Sequence, residues 1–364
     1  MLITVCGCGN AGIAQAADIA LLGFDVNLFE MADFENNLTV IKEKKGITLS
    51  GKTLSGQTGF AKLHKVTSNA EEAVKGVDLI ILAVPAQNHN NVMEHILPHL
   101  TPGQIVLVST GYWASLRLNK LLVEQGLQNK IMIVELNIFP YLSAKIGPAK
   151  AHIYNYKRLM KVSTFPATKN DSVYKIVKQI YPQTILSKNV LDNNIYPGNQ
   201  SLHPQITLPN VVLFFEKAKE FRFYNELSLA TAKLADAFDL ERLKVANHYD
   251  CDTTDYVTAF KKMYEYSGEN LYELFSNTEH SERWGRVEGI YRVLIEDLCY
   301  SLFPIEQLAK AADISVPITS SMIDLFKVFT GYDYRSNGIT LKDLGIEGFK
   351  TEQILKYVNQ GNVS

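Results

Sequence analysis

Residues 2–30, LITVCGCGNAGIAQAADIALLGFDVNLFE, constrain the fold more than any other stretch. Residues 2–6 are an apolar run with β-branched side chains, the pattern of a buried parallel strand. Gly7, Gly9 and Gly12 follow in GxGxxG spacing, with Cys8, Asn10 and Ala11 between them. Ile13, Ala16, Ala17, Ala20 and Leu21 then recur at helical spacing, and FDVNLFE reads as a second strand ending at Glu30. Gly7 permits a tight turn from strand to helix. Gly9 lacks a Cβ, so a pyrophosphate can approach the backbone, and Gly12 lets the helix pack closely on the strand. The helix N-terminus offers N–H groups and a partial positive charge to phosphates. Glu30 stands 23 residues after Gly7, where a carboxylate accepts hydrogen bonds from adenosine ribose hydroxyls and repels a 2′-phosphate. Gly7, Gly9, Asn10, Ala11, Gly12 and Glu30 are therefore the expected cofactor residues. NAD(H) is the favoured dinucleotide and NADP(H) the second option. The structural alternative is a glycine-rich turn without a ligand.

The alternation continues. Residues 77–86 (VDLIILAVPA), 104–113 (QIVLVSTGYW) and 130–141 (KIMIVELNIFPY) read as strands, separated by helical patterns at 69–76, 88–99 and 113–126. Alternating strands and helices imply a parallel, doubly wound sheet. Its strand ends face the cofactor, which adds Val84, Pro85 and Glu135 to the expected cofactor residues. Residues 47–68 are rich in Gly, Ser and Thr and suggest an inserted hairpin or lobe beside the cofactor.

The pattern changes near NNIYPGN, residues 193–199. Apolar residues recur at three- and four-residue spacing over 211–249, 255–276, 285–302, 304–312 and 317–330, and strand signals disappear. The expectation is an α/β Rossmann-type N-terminal domain over 1–190 and an all-α C-terminal domain over 191–364. The interface of two such domains commonly holds substrate.

Composition narrows the partners. The net charge is −2 and no basic block occurs, which argues against nucleic acid or a membrane surface. No apolar run of roughly 18 residues suggests a membrane span, and the N-terminus lacks a secretory signal. Cys6, Cys8, Cys251 and Cys299 suggest neither a bridge nor a metal site, and no metal is expected. A reduced cytoplasmic setting follows, with a monomer or homodimer as the assembly.

Two segments carry candidate chemistry. In NQSLHP (199–204), His203 stands at or just before a helix start, with Pro204 suited to the first turn. It is either a loop histidine or an acid–base group. In the helical run 289–309, Asp297 lies on a largely apolar face, with Val293 and Leu294 one turn before it. A carboxylate there must be paired, because burying an unpaired charge is costly. Arg292 can pair with Glu296 at i+4 or clamp a substrate carboxylate. On an α-helix Arg292 and Asp297 stand about 140° apart. A His–Asp pair makes sense beside a nicotinamide, since the aspartate sets the tautomer of a histidine that supplies a proton. Spacing alone does not show that His203 and Asp297 meet. His89, in QNHNN, reads as a solvated helix start.

Across nearly its whole length the chain resembles the octopine/nopaline (opine) dehydrogenases. The resemblance is carried by the glycine motif, AVPA (83–86), VELNIFPY (134–141), NQSLHP (199–204), TLPN (207–210), FRFYNE (221–226), DLER (239–242), RVLIEDL (292–298) and FPIEQLAKAADISVP (303–317). It implies reductive condensation of an amino acid with a 2-oxo acid such as pyruvate, with NAD(P)H reducing the imine. It also implies His203 as the acid–base residue, Asp297 as its partner and Arg292 as a substrate-carboxylate contact. Asn199, Asn210 and Tyr141 are then supporting or substrate-binding residues. Two departures stand out: Leu136 where the family has Thr after Glu, and Leu298-Cys299 where it often has Val-Pro. A rival reading is a two-domain dehydrogenase of ketopantoate reductase or glycerol-3-phosphate dehydrogenase type, with Lys120 or Lys145 near the chemistry. A second is a non-catalytic NAD(H) sensor, which needs no His–Asp pair.

Overall fold

In the computed structural model, which describes residues 1–217, 220–276, 278–281 and 284–362, the chain divides into two units, Met1–Leu186 and Ser187–Ser364. The first contains β1 (Leu2–Cys6), α1 (Asn10–Leu21), β2 (Asp25–Phe29), α2 (Thr39–Lys44), β3 (Gly46–Gly51), β4 (Gly59–Lys62), β5 (Lys65–Thr67), α3 (Ala70–Val74) and β6 (Leu79–Leu82). It continues with α4 (His89–Ile96), β7 (Ile105–Val108), α5 (Ala114–Glu124), β8 (Met132–Leu136), β9 (Tyr141–Gly147), β10 (Lys150–Tyr156), β11 (Met160–Thr164), α6 (Asn170–Ile180) and β12 (Thr184–Leu186).

Eight strands form one sheet in the order β12-β11-β8-β7-β6-β1-β2-β5. Every neighbouring pair is parallel except β8 and β11. Ile3, Val5, Leu28 and the whole of β6 are fully buried, because helices cover both faces of a parallel sheet; such strands read as unbroken apolar runs. The chain runs outward from β1 through β2 and β5, then returns to β6 on the other side of β1. That reversal makes the carboxyl ends of β1 and β6 the place where an open α/β sheet binds its ligand.

Residues 46–62 fold as the β3–β4 hairpin, but not as an isolated lobe. β3 pairs in parallel with β10, and β10 pairs with β9, giving a second sheet of four strands, β4-β3-β10-β9. Helix α1 is held by both layers. Its buried Asp18 carboxylate accepts the backbone N–H groups of Leu54 and Ser55 at 2.9 and 3.2 Å. Small side chains allow this double covering: Ala14, Ala16 and Ala17 are fully buried.

The second unit is helical: α7 (Val190–Ile195), α8 (His203–Thr207), α9 (Leu229–His248), α10 (Tyr256–Tyr264), α11 (Leu271–Phe275), α12 (Val287–Leu294), α13 (Phe303–Ala311), α14 (Pro317–Thr330) and α15 (Thr351–Gln360). Two features depart from the sequence expectation. A short antiparallel ribbon pairs β13 (Glu220–Arg222) with β14 (Trp284–Arg286). The single helix expected over 285–302 changes its winding after α12, and residues Ile295–Leu302 form a π-helix. The long helix α9 carries a fully buried Arg242, bonded to Asp239 at 2.7 Å and to the carbonyls of Ile195 and Thr254 at 3.0 and 2.6 Å. No helix among the described residues is long and apolar enough to cross a membrane.

Candidate active site

The residues expected to hold a dinucleotide, Glu135 in β8 apart, lie at the carboxyl ends of β1, β2 and β6. Gly7 has a φ of +111°, which an L side chain rarely adopts, and a Cβ on Gly12 would stand 1.8 Å from the Gly7 carbonyl oxygen. A Cβ on Gly9 would meet nothing within 4 Å, so the turn is open on the side a pyrophosphate approaches. No side chain caps the start of α1 and no acidic residue occupies its first turn. An uncapped, unopposed helix N-terminus preceded by an open glycine fits the phosphates of a dinucleotide. Replacing Gly12 by Ala should weaken NADH binding at least tenfold, measured by fluorescence titration, because the 1.8 Å approach forces the turn apart. Unchanged affinity would mean that the turn is not the phosphate cradle.

Glu30 is nearly buried, and its two oxygens accept the backbone N–H groups of Cys8 and Met31 at 2.8 and 3.0 Å. Burial pushes its carboxyl up from the ordinary range, while those two amides and the charge of Lys145 oppose the shift. The carboxylate thus ties the end of β2 to the glycine turn, and each oxygen keeps a second acceptor position for a ribose hydroxyl.

After β6, Val84 and Pro85 lead through a short turn into α4. His89 opens that helix, as expected, but it is buried rather than solvated, with 1% exposure. Arg117 donates to its Nδ1 at 3.0 Å, and its Nε2 faces the Val84 carbonyl at 3.2 Å. Burial and the neighbouring guanidinium hold its pKa well below the usual value, so this histidine is a neutral brace for the loop. Glu135 is fully enclosed and accepts the Ser115 N–H at 3.0 Å, at the start of α5. Tyr141 is also enclosed. Burial, Tyr181 and Asp18 hold its hydroxyl well above the usual range. The structure brings neither side chain to an open surface.

In the second unit, His203 is the first residue of α8, and Pro204 lies in the first turn. Its Nδ1 stands 2.9 Å from Oδ2 of Asp297, although 94 residues separate the two in the chain. The Asp297 side chain is 1% exposed and that of His203 is 15% exposed. A carboxylate at Nδ1 accepts the Nδ1–H, which leaves the lone pair on Nε2. The Tyr224 hydroxyl lies 3.3 Å from that nitrogen and donates to it. Phe223 meets the imidazole ring edge-on with centroids 5.8 Å apart. A histidine fixed at one nitrogen and open to a polar hydrogen at the other is arranged for proton transfer.

Asp297 projects from the π-helical segment. There the i→i+5 hydrogen bonds replace α-helical register, so the 140° separation from Arg292 expected on an α-helix does not hold. Arg292 is half-exposed and lies 3.5 Å from Glu296, the i+4 partner anticipated from the sequence. Asn199 begins the turn before His203, and its carbonyl accepts the Leu202 N–H at 3.0 Å. The Asn210 amide donates to the carbonyls of Ile206 and Glu226 at 2.8 and 2.9 Å. It therefore fastens the segment bearing Tyr224 to the end of α8.

Tyr224 is the site residue that sequence reasoning missed. It lay inside FRFYNE, but nothing in that motif says which of its three aromatic rings reaches His203. Lys145, the candidate of the rival reading, has its ammonium 3.2 Å from the Cys8 carbonyl oxygen. Lys120 lies in α5.

Comparison with known proteins finds a match for each part of the chain. Residues 2–136 match a family described as NAD-dependent glycerol-3-phosphate dehydrogenase N-terminus. Residues 186–330 match NAD/NADP octopine/nopaline dehydrogenase, alpha-helical domain. The chain is 27% identical over 347 residues to an opine dehydrogenase from Arthrobacter sp. (strain 1C), spanning 94% of this chain and 95% of that protein. Its fold is similar to octopine dehydrogenase with NADH and L-arginine, at a TM-score of 0.76 and 18% identity, over 98% of each chain. It is also similar to NADP+-bound yersinopine dehydrogenase, at a TM-score of 0.67 and 15% identity, over 99% of this chain and 98% of that one. With a dinucleotide-type first domain, a match to the octopine/nopaline dehydrogenase helical domain after it, and full-length likeness to an opine dehydrogenase, the chain is similar to the octopine/nopaline (opine) dehydrogenases and is an NAD(P)-dependent oxidoreductase that acts on CH–NH bonds.

Proposed function

We propose that this enzyme joins the amine of an amino acid to the carbonyl of a 2-oxo acid such as pyruvate and reduces the resulting imine, with His203 as the acid–base residue and Asp297 as its partner. The observation that carries this reading is the 2.9 Å contact from His203 Nδ1 to Asp297. An amino acid arrives as an ammonium ion and is not nucleophilic in that form. Nε2 of His203 takes the proton, and Asp297 supplies the counter-charge for the imidazolium. The free amine attacks the carbonyl carbon. His203 then returns the proton to the departing hydroxyl, which leaves as water, and the protonated imine remains. The reduced dinucleotide, when bound, supplies a hydride. The sum consumes one amine, one oxo acid, one hydride and one proton, and releases water and a secondary amine.

The remaining candidates take supporting parts. Tyr224 holds Nε2 until substrate replaces its hydroxyl. Arg292 pairs with an anion of the bound reactants, the substrate carboxylate being the expected one. Asn199 and Asn210 fix the segments on either side of His203. Tyr141, enclosed beside Tyr181 and Asp18, takes a structural part within the first unit rather than the substrate contact that the resemblance implies. Gly7, Gly9, Asn10, Ala11 and Gly12 would hold the pyrophosphate, Glu30 the adenosine ribose, and Val84 and Pro85 the edge of the same crevice, with Glu135 bracing it. The Glu30 carboxylate favours NADH.

Octopine dehydrogenase has been solved with NADH and L-arginine and with NADH and pyruvate, which supports an amine and an oxo acid as the pair of substrates. The test is NADH oxidation, followed by absorbance, with pyruvate and a panel of amino acids, each component also omitted in turn. Oxidation that needs both amine and oxo acid is expected. Oxidation with the oxo acid alone would instead indicate a hydroxy-acid dehydrogenase, and none with any pair would favour the sensor.

A further inference from the structure

The β9–β10 hairpin does more than cover α1. The Ser143 hydroxyl donates to the Asn10 carbonyl at 3.3 Å, and the Lys145 N–H donates to the Asn10 side-chain oxygen at 2.9 Å. These bonds set the backbone of β9 against the first helical residue after the glycine turn. From that anchor the Lys145 side chain runs back along the turn, and its ammonium donates to the Cys8 carbonyl at 3.2 Å. Cys8 is the residue whose N–H is held by Glu30 at 2.8 Å. A lysine and a glutamate therefore hold the carbonyl and the N–H of one residue of the glycine turn, at the carboxyl ends of β1 and β2.

This changes the electrostatic expectation at the adenosine end. A lone carboxylate there repels a 2′-phosphate. Here its charge is opposed by a nearby ammonium. The ammonium has three donors; the Cys8 carbonyl takes one, and the others can reach an anion on the open side of the turn. Lysine serves phosphate as a compact point charge and needs no bidentate geometry.

We propose that Lys145 is a phosphate-contacting residue of the dinucleotide site, pairing with the 2′-phosphate of NADPH, so that the site accepts NADPH alongside NADH in spite of Glu30. The inference rests on the chain being a nicotinamide-dinucleotide enzyme, and not on the identity of its substrates. It also gives Lys145 a task in cofactor selection in place of the catalytic one that the rival dehydrogenase reading needs.

The test is direct binding of NADPH and NADH to the full chain, measured by fluorescence titration without amino acid or oxo acid, at low and moderate salt. A charge-assisted hydrogen bond of ordinary strength predicts that Lys145→Gln weakens NADPH about 10- to 100-fold and NADH less than about threefold. Lys145→Arg should restore most of the NADPH affinity, since it returns the charge. The NADPH loss should shrink as salt rises. Equal weakening of both dinucleotides, or no weakening of either, would overturn the proposal. So would a loss that Lys145→Arg does not recover. If binding behaves as expected but no amine and oxo-acid pair supports turnover, the condensation reading falls and this assignment stands.

Discussion

His203→Ala should lower turnover by about 10²–10⁴-fold, the usual contribution of a positioned general acid–base group, while NADH affinity stays unchanged. The two readouts separate because the residues proposed to hold the dinucleotide lie in the first unit and His203 lies in the second. Asp297→Asn is the sharper companion. It keeps the shape, but an amide can present its NH₂ to Nδ1 and so favour the tautomer with the proton on Nε2. Nε2 then cannot accept a proton from the incoming ammonium ion, and a loss approaching that of His203→Ala is expected. The measurement is steady-state NADH oxidation with the best amine and oxo-acid pair, next to a binding titration. If His203→Ala keeps turnover within tenfold of the parent, the acid–base group lies elsewhere and the His–Asp contact is structural.

Arg242→Met should destabilise the second unit by about 3–5 kcal/mol, the usual penalty for removing one member of a buried ion pair. The guanidinium is completely buried. It satisfies Asp239, the Thr253 hydroxyl and two carbonyls, including that of Ile195 in α7. The other oxygen of Asp239 accepts the Tyr256 N–H at the start of α10. One side chain thus joins α7, α9 and the approach to α10. Without it, Asp239 keeps an uncompensated charge inside the unit, and the two carbonyls lose a donor. The check is the midpoint of denaturant unfolding, compared with Asp239→Asn and the double variant. Strong non-additivity is expected, because the second change removes the charge that the first one strands. A midpoint shift worth less than about 1 kcal/mol would mean that the packing closes without the pair.

Much of the first unit was legible because its signals are local. Strand β1, the three glycines, helix α1 and the end of β2 follow one another within thirty residues, and each is set by its own periodicity or backbone freedom. The buried runs at 79–82 and 105–108 announced parallel strands in the same way. The second sheet was not legible as a sheet. Its central pairing sets Thr48 against Lys150, and such register depends on which surfaces meet rather than on either segment. Burial alternates along Lys150–Tyr156 in the fold, but the sequence KAHIYNY does not alternate cleanly and names no partner.

The candidate site divides along the same line. The resemblance named His203 and Asp297, and the apolar surroundings of Asp297 required it to be paired. Tyr224 needed coordinates, because its hydroxyl reaches Nε2 only through the backbone path that Asn210 fastens. The π-winding of Ile295–Leu302 also needed them, since an α-helical period and a π-helical one share the same apolar residues. Glu30 shows how a correct position can carry an incomplete charge. Its place at the end of β2 was read from spacing, but Lys145, more than a hundred residues later, shares its electrostatics.

By itself, then, the sequence determined the alternation of strands and helices around the glycine turn and the helical character of the second half, which follow from steric or hydrophobic patterns within a few turns of chain. The titratable pair was named by the resemblance, not by local pattern. Only the tertiary structure decided that α1 lies between two sheets, that Tyr224 completes the histidine's surroundings and that Lys145 stands near Glu30. Those depend on contacts between distant segments, where the packing of complementary surfaces and the pairing of buried charges set the geometry.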